Sequence, residues 1–209
     1  MGLKVFLVTA EGHVVDNPRH YRTAQRELKK AQRRLSRRKK GSKRRRKAVT
    51  WLAKKHQKVK RQRHDFHHKT ALELLRHYDT IYLEDLQVAN LSKRPAPKPD
   101  GNGGGYLHNG ASRKAGLNKS IQDAGWSSFR TILTCKAACA GKRVVAVPPA
   151  YTCQDCSGCG EQVEKCLSVR TYVCTSCGLI LDRDENAARN IQWLGQSLQG
   201  LVAVAGALN

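Results

Sequence analysis

A chain of 209 residues and 23.3 kDa is long enough to bury a hydrophobic core in one or two domains. Its 39 Lys and Arg against 16 Asp and Glu give a formal net charge of +23 and a pI near 10.1, so a polyanion is the expected partner. No run approaches the length of about 18 apolar residues that a membrane span needs, and the apolar stretch at 5–10 is too short for a secretory signal, which excludes membrane and exported classes.

The first elements expected are two strands, at 3–9 and 13–15, turning at Glu11-Gly12. Residues 21–70 then carry 22 Lys and Arg against two acids, Glu27 and Asp65, so +20 of the net +23 sits in this one block. Within it Tyr21, Leu28 and Leu35 recur every seven residues, and Leu52, Val59 and Phe66 do the same beyond Gly41-Ser42. That pattern predicts two amphipathic helices folded into an antiparallel hairpin. Arg33, Arg34, Arg37, Arg38, Lys39, Lys40, Lys43, Arg44, Arg45, Arg46 and Lys47 crowd its tip. Ordinary surface helices balance Lys with Glu, and this block does not, so it reads as a nucleic-acid-binding arm rather than a solvated face.

Residues 79–86 predict an apolar strand ending in Glu84 and Asp85, followed at 92–113 by a Pro- and Gly-rich surface loop. Helical periodicity resumes through Leu117, Ile121, Trp126, Phe129, Ile132 and Leu133, and a strand follows at 143–147. Two copies of a Cys-x-x-Cys-Gly pattern come next, Cys156/Cys159 and Cys174/Cys177, with 14 residues between Cys159 and Cys174. Two thiolates from each copy can grip one tetrahedral zinc ion with bonds of about 2.3 Å, and the glycine permits the turn behind the second ligand. Cys153 and Cys166 lack that context and stand as substitutes for one of the four, while Cys135 and Cys139 read as buried small apolar residues. A metal protein without a signal peptide is expected inside the cell, in the cytoplasm and associated with the nucleoid. The last expected helix spans 184–194, leaving 195–209 as an unplaced tail.

Acids stand at element boundaries: Glu84 at a strand end, Asp182 and Asp184 where a helix opens. N-capping alone would justify the last two. Carboxylates gathered at a sheet edge beside a helix start can also hold two Mg²⁺ ions about 4 Å apart for phosphodiester hydrolysis.

The sequence resembles the C-terminal half of the TnpB-type family, insertion-sequence-encoded RNA-guided nucleases related to type V CRISPR effectors. The resemblance is carried by Gly2-Leu-Lys-Val-Phe-Leu-Val-Thr, Pro18-Arg-His-Tyr, the basic helices and Ile81-Tyr-Leu-Glu-Asp-Leu. It continues through the segment from Leu117 to Phe129, Thr152-Cys-Gln-Asp-Cys-Ser-Gly-Cys-Gly, Val173-Cys-Thr-Ser-Cys-Gly and Leu181-Asp-Arg-Asp-Glu-Asn-Ala-Ala-Arg-Asn-Ile. It implies an α/β fold with an RNase H-like (RuvC-type) core, interrupted by the basic hairpin and by a four-cysteine zinc ribbon. On that reading the partial sheet occupies 1–18, the hairpin 19–78, the continued core 79–150, the ribbon 151–180 and the final core helix 181–194. Glu84 then matches the family's catalytic Glu and Asp184 its last catalytic Asp. The family's first catalytic Asp falls just before Met1, on a strand expected between 5–9 and 80–84. The resemblance implies structural zinc, Mg²⁺ in catalysis, DNA and a guide RNA as partners, and no membrane. Three functions follow as expectations: a truncated, transposase-like nucleic-acid-binding protein that does not cut alone, an active RNA-guided endonuclease with an upstream start, or a non-enzymatic zinc-ribbon regulator.

Overall fold

Along the chain run β1 (Val5–Val8), β2 (Val14–Asp16), α1 (His20–Ser36), α2 (Lys43–His77), β3 (Thr80–Glu84), α3 (Val88–Leu91), β4 (Lys98–Pro99) and β5 (Tyr106–Leu107). These are followed by α4 (Ala111–Ala124), α5 (Trp126–Cys139), β6 (Arg143–Val147), β7 (Thr171–Val173), β8 (Ile180–Asp182) and α6 (Arg183–Gly206). The computed structural model describes residues 1–101, 103–164 and 169–206, the last six of these by backbone alone. The chain divides into one unit of Met1–Asn17, Leu74–Gln87 and Leu133–Asn209 and a second of Pro18–Glu73 and Val88–Ile132.

In the first unit β1 and β2 form an antiparallel pair that reverses at Gly12, where φ is +81°. β3 and β6 pair in parallel, in register from Thr80 opposite Arg143 to Glu84 opposite Val147. Among the described residues the two pairs are separate two-stranded sheets. Phe6, Leu83, Leu133, Val147 and Ile191 are buried, each such side chain contributing roughly 1.5–3 kcal/mol of transfer free energy. Lys142 donates to the carbonyls of Leu75 and Tyr78 and pairs with Asp79 at 3.0 Å, so one ammonium satisfies acceptors where α2 gives way to β3. α6 runs to Gly206, well past the end expected at 194. Its second half carries Leu194 and Leu198, and Gly195 lies so close to β3 that a Cβ there would overlap the Tyr82 ring. Gln199 accepts the Tyr82 hydroxyl proton one turn further on. The first residue of the stretch left as an unplaced tail is a packing notch within the helix.

In the second unit α1 and α2 form the expected hairpin. His20 meets Phe66 near its base, with ring centroids 6.2 Å apart, and Arg34 lies over Trp51 near its tip at 5.6 Å, as antiparallel helices require. α1 opens on Arg19 in a left-handed conformation, without a side-chain cap of its own. The cap comes from Asp123 on α4, whose Oδ1 and Oδ2 accept the N–H groups of Tyr21 at 2.8 Å and Arg22 at 3.3 Å. Arg63 completes the charge pairing of this buried carboxylate at 3.3 Å. The single apolar run expected from Leu117 to Leu133 is two helices, split at Gly125. Gly125 adopts φ +65°, and a Cβ there would meet His67 Cε1 at 3.0 Å and Arg63 Cδ at 3.1 Å. Both backbone and space demand glycine. The 92–113 stretch carries the short β4–β5 pair and the start of α4.

Cys135 and Cys139, read as buried, are exposed. On α5 the buried residues are Trp126, Phe129, Leu133 and Ala137, and a residue two positions from Leu133 or Ala137 is turned about 200° away.

Candidate metal centre and nucleic-acid interface

The two cysteine knuckles fold the same way because their sequences repeat. In the first, the Cys156 N–H donates to Glu161 O and the Gly160 N–H to Cys156 O, at 2.9 and 2.8 Å. In the second, Cys174 donates to Leu179 O and Gly178 to Cys174 O, at 2.9 and 3.1 Å. Gly160 and Gly178 take φ +79° and +74°, as the turn behind the second thiol of each knuckle requires. β7 and β8 join the second knuckle to α6, with Tyr172 fully buried beneath the sulfurs alongside Cys156 and Cys174.

The four sulfurs converge, all within 4.8 Å of one another, with Cys156 to Cys177 and Cys159 to Cys174 both at 3.6 Å. Four thiolates bound at about 2.3 Å in a tetrahedron lie about 3.8 Å apart, so the donor set fits one metal ion and is too open for disulfides. Cys153 stands outside this cluster, and Cys166 lies outside the described residues. Two asparagines of α6 fasten the ribbon. Asn186, fully buried, accepts from the Ser157 N–H at 3.0 Å and donates to Asp155 O at 2.8 Å, while Asn190 donates to Thr152 O and Asp155 O. Sequence reasoning missed this pair, although two Asn four apart on an otherwise apolar helix face were a signal that they bond something buried.

The acids are placed differently. Asp182 caps α6 by accepting the Asp184 N–H at 2.8 Å. The Asp184 carboxylate is engaged by Arg170 at 3.0 Å and Arg183 at 3.3 Å. Glu84, at the end of β3, has the Met1 nitrogen 3.3 Å from its Oε2. Among the described residues neither acid belongs to a group of three metal-ligand side chains; the four cysteines form the one such group. In this arrangement Arg170 and Arg183 each meet a different oxygen of the Asp184 carboxylate.

At the hairpin tip Arg33, Arg37, Lys39, Lys40, Lys43, Arg44, Arg46 and Lys47 are exposed. Arg45 is committed elsewhere: its Nη1 donates to Leu35 O and Arg38 O at 3.2 and 3.3 Å, closing the carbonyl end of α1. Arg34 stacks on Trp51, with Lys55 on the same ring at 5.4 Å, and Arg38 is half-buried. At the other end of this unit a cavity of about 600 Å³ is lined by Arg63, Arg94, Lys114 and Lys119 together with Tyr21 and Asp123. Burial and neighbouring cations hold His67 well below its ordinary range, at about 4, with burial the largest cause, and its Nε2 lies 2.9 Å from Ala124 O. Among the described residues no helix is long and apolar enough to cross a membrane.

Comparison with known proteins bears on these features together. Residues 1–94 match the family model described as probable transposase, and residues 126–191 match the Cas12f1-like TNB domain. A protein of Escherichia coli (strain K12), provisionally named RNA-guided DNA endonuclease InsQ, is 33% identical over 94% of this chain and 48% of its own length. The TnpB-like protein L79 of Acanthamoeba polyphaga mimivirus is 30% identical over 69% of this chain and 25% of its own. A chain in the cryo-EM structure of a Cas12f1–sgRNA–target DNA complex shares the fold at a TM-score of 0.52 and 17% identity, covering 86% of this chain and 43% of that one. The chain thus spans about half the length of the E. coli relative it matches.

Proposed function

We propose, from the premise that this chain belongs to the TnpB-type family of insertion-sequence proteins, that it is a nucleic-acid-binding portion of that machinery which does not cut DNA by itself. The observation that carries the reading is the concentration of +20 charges in residues 21–70, displayed by α1 and α2 on exposed Arg and Lys at the hairpin tip. A surface of this kind neutralises phosphates and releases counterions, whatever the base sequence. DNA and a guide RNA are the proposed partners, and a RuvC-type core the proposed frame, with the ribbon over 151–180 inserted before α6.

Zinc is the proposed ion of Cys156, Cys159, Cys174 and Cys177. Bound there it would supply a closed, four-thiolate cross-link that stabilises the ribbon and performs no chemistry. The residues around it do the positioning: Asn186 and Asn190 lock the first knuckle to α6, and Asp182 caps the start of that helix. Glu84 and Asp184 are the acids proposed to serve cleavage once a further carboxylate joins them.

A second reading, an endonuclease completed by sequence upstream, has one observation in its favour. The E. coli relative carries the name RNA-guided DNA endonuclease and is matched by this chain over only 48% of its own length. The test is a cleavage assay on single- and double-stranded DNA with Mg²⁺ or Mn²⁺. It compares this chain, an extended chain that supplies an Asp ahead of Met1, and the extended chain with guide RNA. The 209-residue chain is expected to bind all substrates with a steep salt dependence and to cut none. Metal-dependent cutting by it that vanishes in Glu84→Ala and Asp184→Ala would overturn the proposal, and cutting by the extended chain alone is the result the second reading expects.

A further inference from the structure

Past the end of β6 the chain reads Pro148-Pro149-Ala150-Tyr151-Thr152, and Tyr151 takes φ +61°. Among the described residues only Arg19 shares a positive φ without being glycine. A bulky aromatic in that region is strained, and a turn needing only that backbone would be served better by Gly or Asn. The strain is held in place from every side. The Tyr151 carbonyl accepts the N–H groups of Gln154 and Asp155 at 2.8 and 2.9 Å. Thr152 is buried, donates its hydroxyl to Pro149 O at 3.1 Å, and its own carbonyl accepts from Asn190 of α6 at 2.9 Å. The two prolines stiffen the approach.

All this rigidity presents a ring to solvent. Tyr151 is 62% exposed, and among the described residues neither its ring nor its hydroxyl has a partner. A strained, over-determined backbone that displays an unpartnered aromatic is the arrangement expected of a binding platform rather than of a packing residue. Its location narrows the ligand. Val147, the last residue of β6, is in register with Glu84, and the Asp85 N–H donates to Val147 O at 2.8 Å. Tyr151 follows four residues later, a chain reach of at most about 14 Å from the strand end that carries the acid.

We propose that Tyr151 is a stacking platform for a base of a single-stranded polynucleotide, holding the strand at the Glu84 end of the β3–β6 pair. This rests on the nucleic-acid-binding reading above and adds what that reading lacks, a contact to a base instead of a phosphate. Stacking on an aromatic face tolerates any base but needs one, so it is separable from charge.

The experiment measures binding of the 209-residue chain, by fluorescence anisotropy at one fixed salt concentration, to a 15-nucleotide oligo-dT and to an abasic oligomer of the same length and charge. Wild type is expected to prefer oligo-dT by about fivefold or more. Tyr151→Phe keeps that preference, because the ring is retained. Tyr151→Ala and Tyr151→Gly erase it while leaving binding to the abasic oligomer unchanged. Tyr151→Gly also melts no lower than wild type, since glycine relieves the left-handed strain, which separates a lost platform from a lost fold. Equal binding of both oligomers by wild type, or an unaltered preference in Tyr151→Ala, overturns the stacking proposal and leaves the arm's phosphate binding standing. Failure of wild type to bind either oligomer at low salt overturns both.

Discussion

The cysteine ribbon and the basic helical unit solve the same problem, holding a segment of chain in one conformation, by opposite means. Each knuckle of the ribbon closes on itself: its two backbone hydrogen bonds join residues no more than five apart, and long-range contacts enter where the two knuckles meet and where Asn186 and Asn190 fasten the first to α6. The helical unit instead depends on partners far along the chain. The cap of α1 comes from Asp123, about a hundred positions away, Arg63 reaches the same carboxylate, and His67 bonds the Ala124 carbonyl. A turn repeated in sequence can be recognised where it stands, whereas a cap borrowed from another helix exists only once the two helices have packed.

That contrast can be broken most severely at the ribbon. One zinc ion per chain is expected, and Cys156→Ser should abolish it while Cys153→Ser leaves it intact, read by elemental analysis of purified protein. Helical content from α1 and α2, followed by circular dichroism, should survive the loss of metal. Collapse of both together would show that the helical unit leans on the ribbon.

The converse is Asp123→Ala. It strands two N–H groups at the start of α1 and leaves the partly buried Arg63 without its carboxylate, so a loss of about 3 kcal/mol is expected in denaturant unfolding, with metal content unchanged. A change below about 1 kcal/mol would mean that α1 finds another cap.

Acid should act on the same unit. His67 is held near 4 in the folded chain and returns to its ordinary value of about 6.5 when unfolded, so between these limits the unfolded state binds the extra proton and stability falls as the pH falls. The loss accumulates from about pH 6.5 down to about pH 4, up to about 3 kcal/mol at its low end, and is absent above pH 7. His67→Gln, which keeps a donor toward Ala124, should flatten that part of the profile in a series of melts. A profile that keeps its slope would move the cause to another group.

The smallest effect separates two neighbours at the hairpin tip. Arg45→Ala should cost about 1 kcal/mol, because the Arg38 carbonyl loses its side-chain donor and the Leu35 carbonyl keeps only the Arg38 N–H, whereas Arg44→Ala should leave stability within about 0.5 kcal/mol. Arg44→Ala should instead reduce the slope of log affinity against log salt by about one phosphate's worth. Equal melting of the two variants would return Arg45 to the binding surface.

The residues themselves determined the elements whose signals are local. Two Cys-x-x-Cys-Gly repeats specify two identical turns, the seven-residue spacing of Leu28 and Leu35 specifies a helix seam, and 22 cations in 50 residues carry the proposal of a polyanion as partner, since each follows from short-range sterics, periodicity or charge alone. Packing decided the rest. It made Gly195 a notch for Tyr82 inside a helix that runs to Gly206, where composition read a tail. It put Cys135 and Cys139 on the wet face of α5, turned Arg45 inward as a cap, and engaged Asp184 with Arg170 and Arg183. A side chain's role at such positions depends on which distant backbone or charge lies opposite it, and that neighbour is fixed by the burial of whole elements, not by the residues on either side.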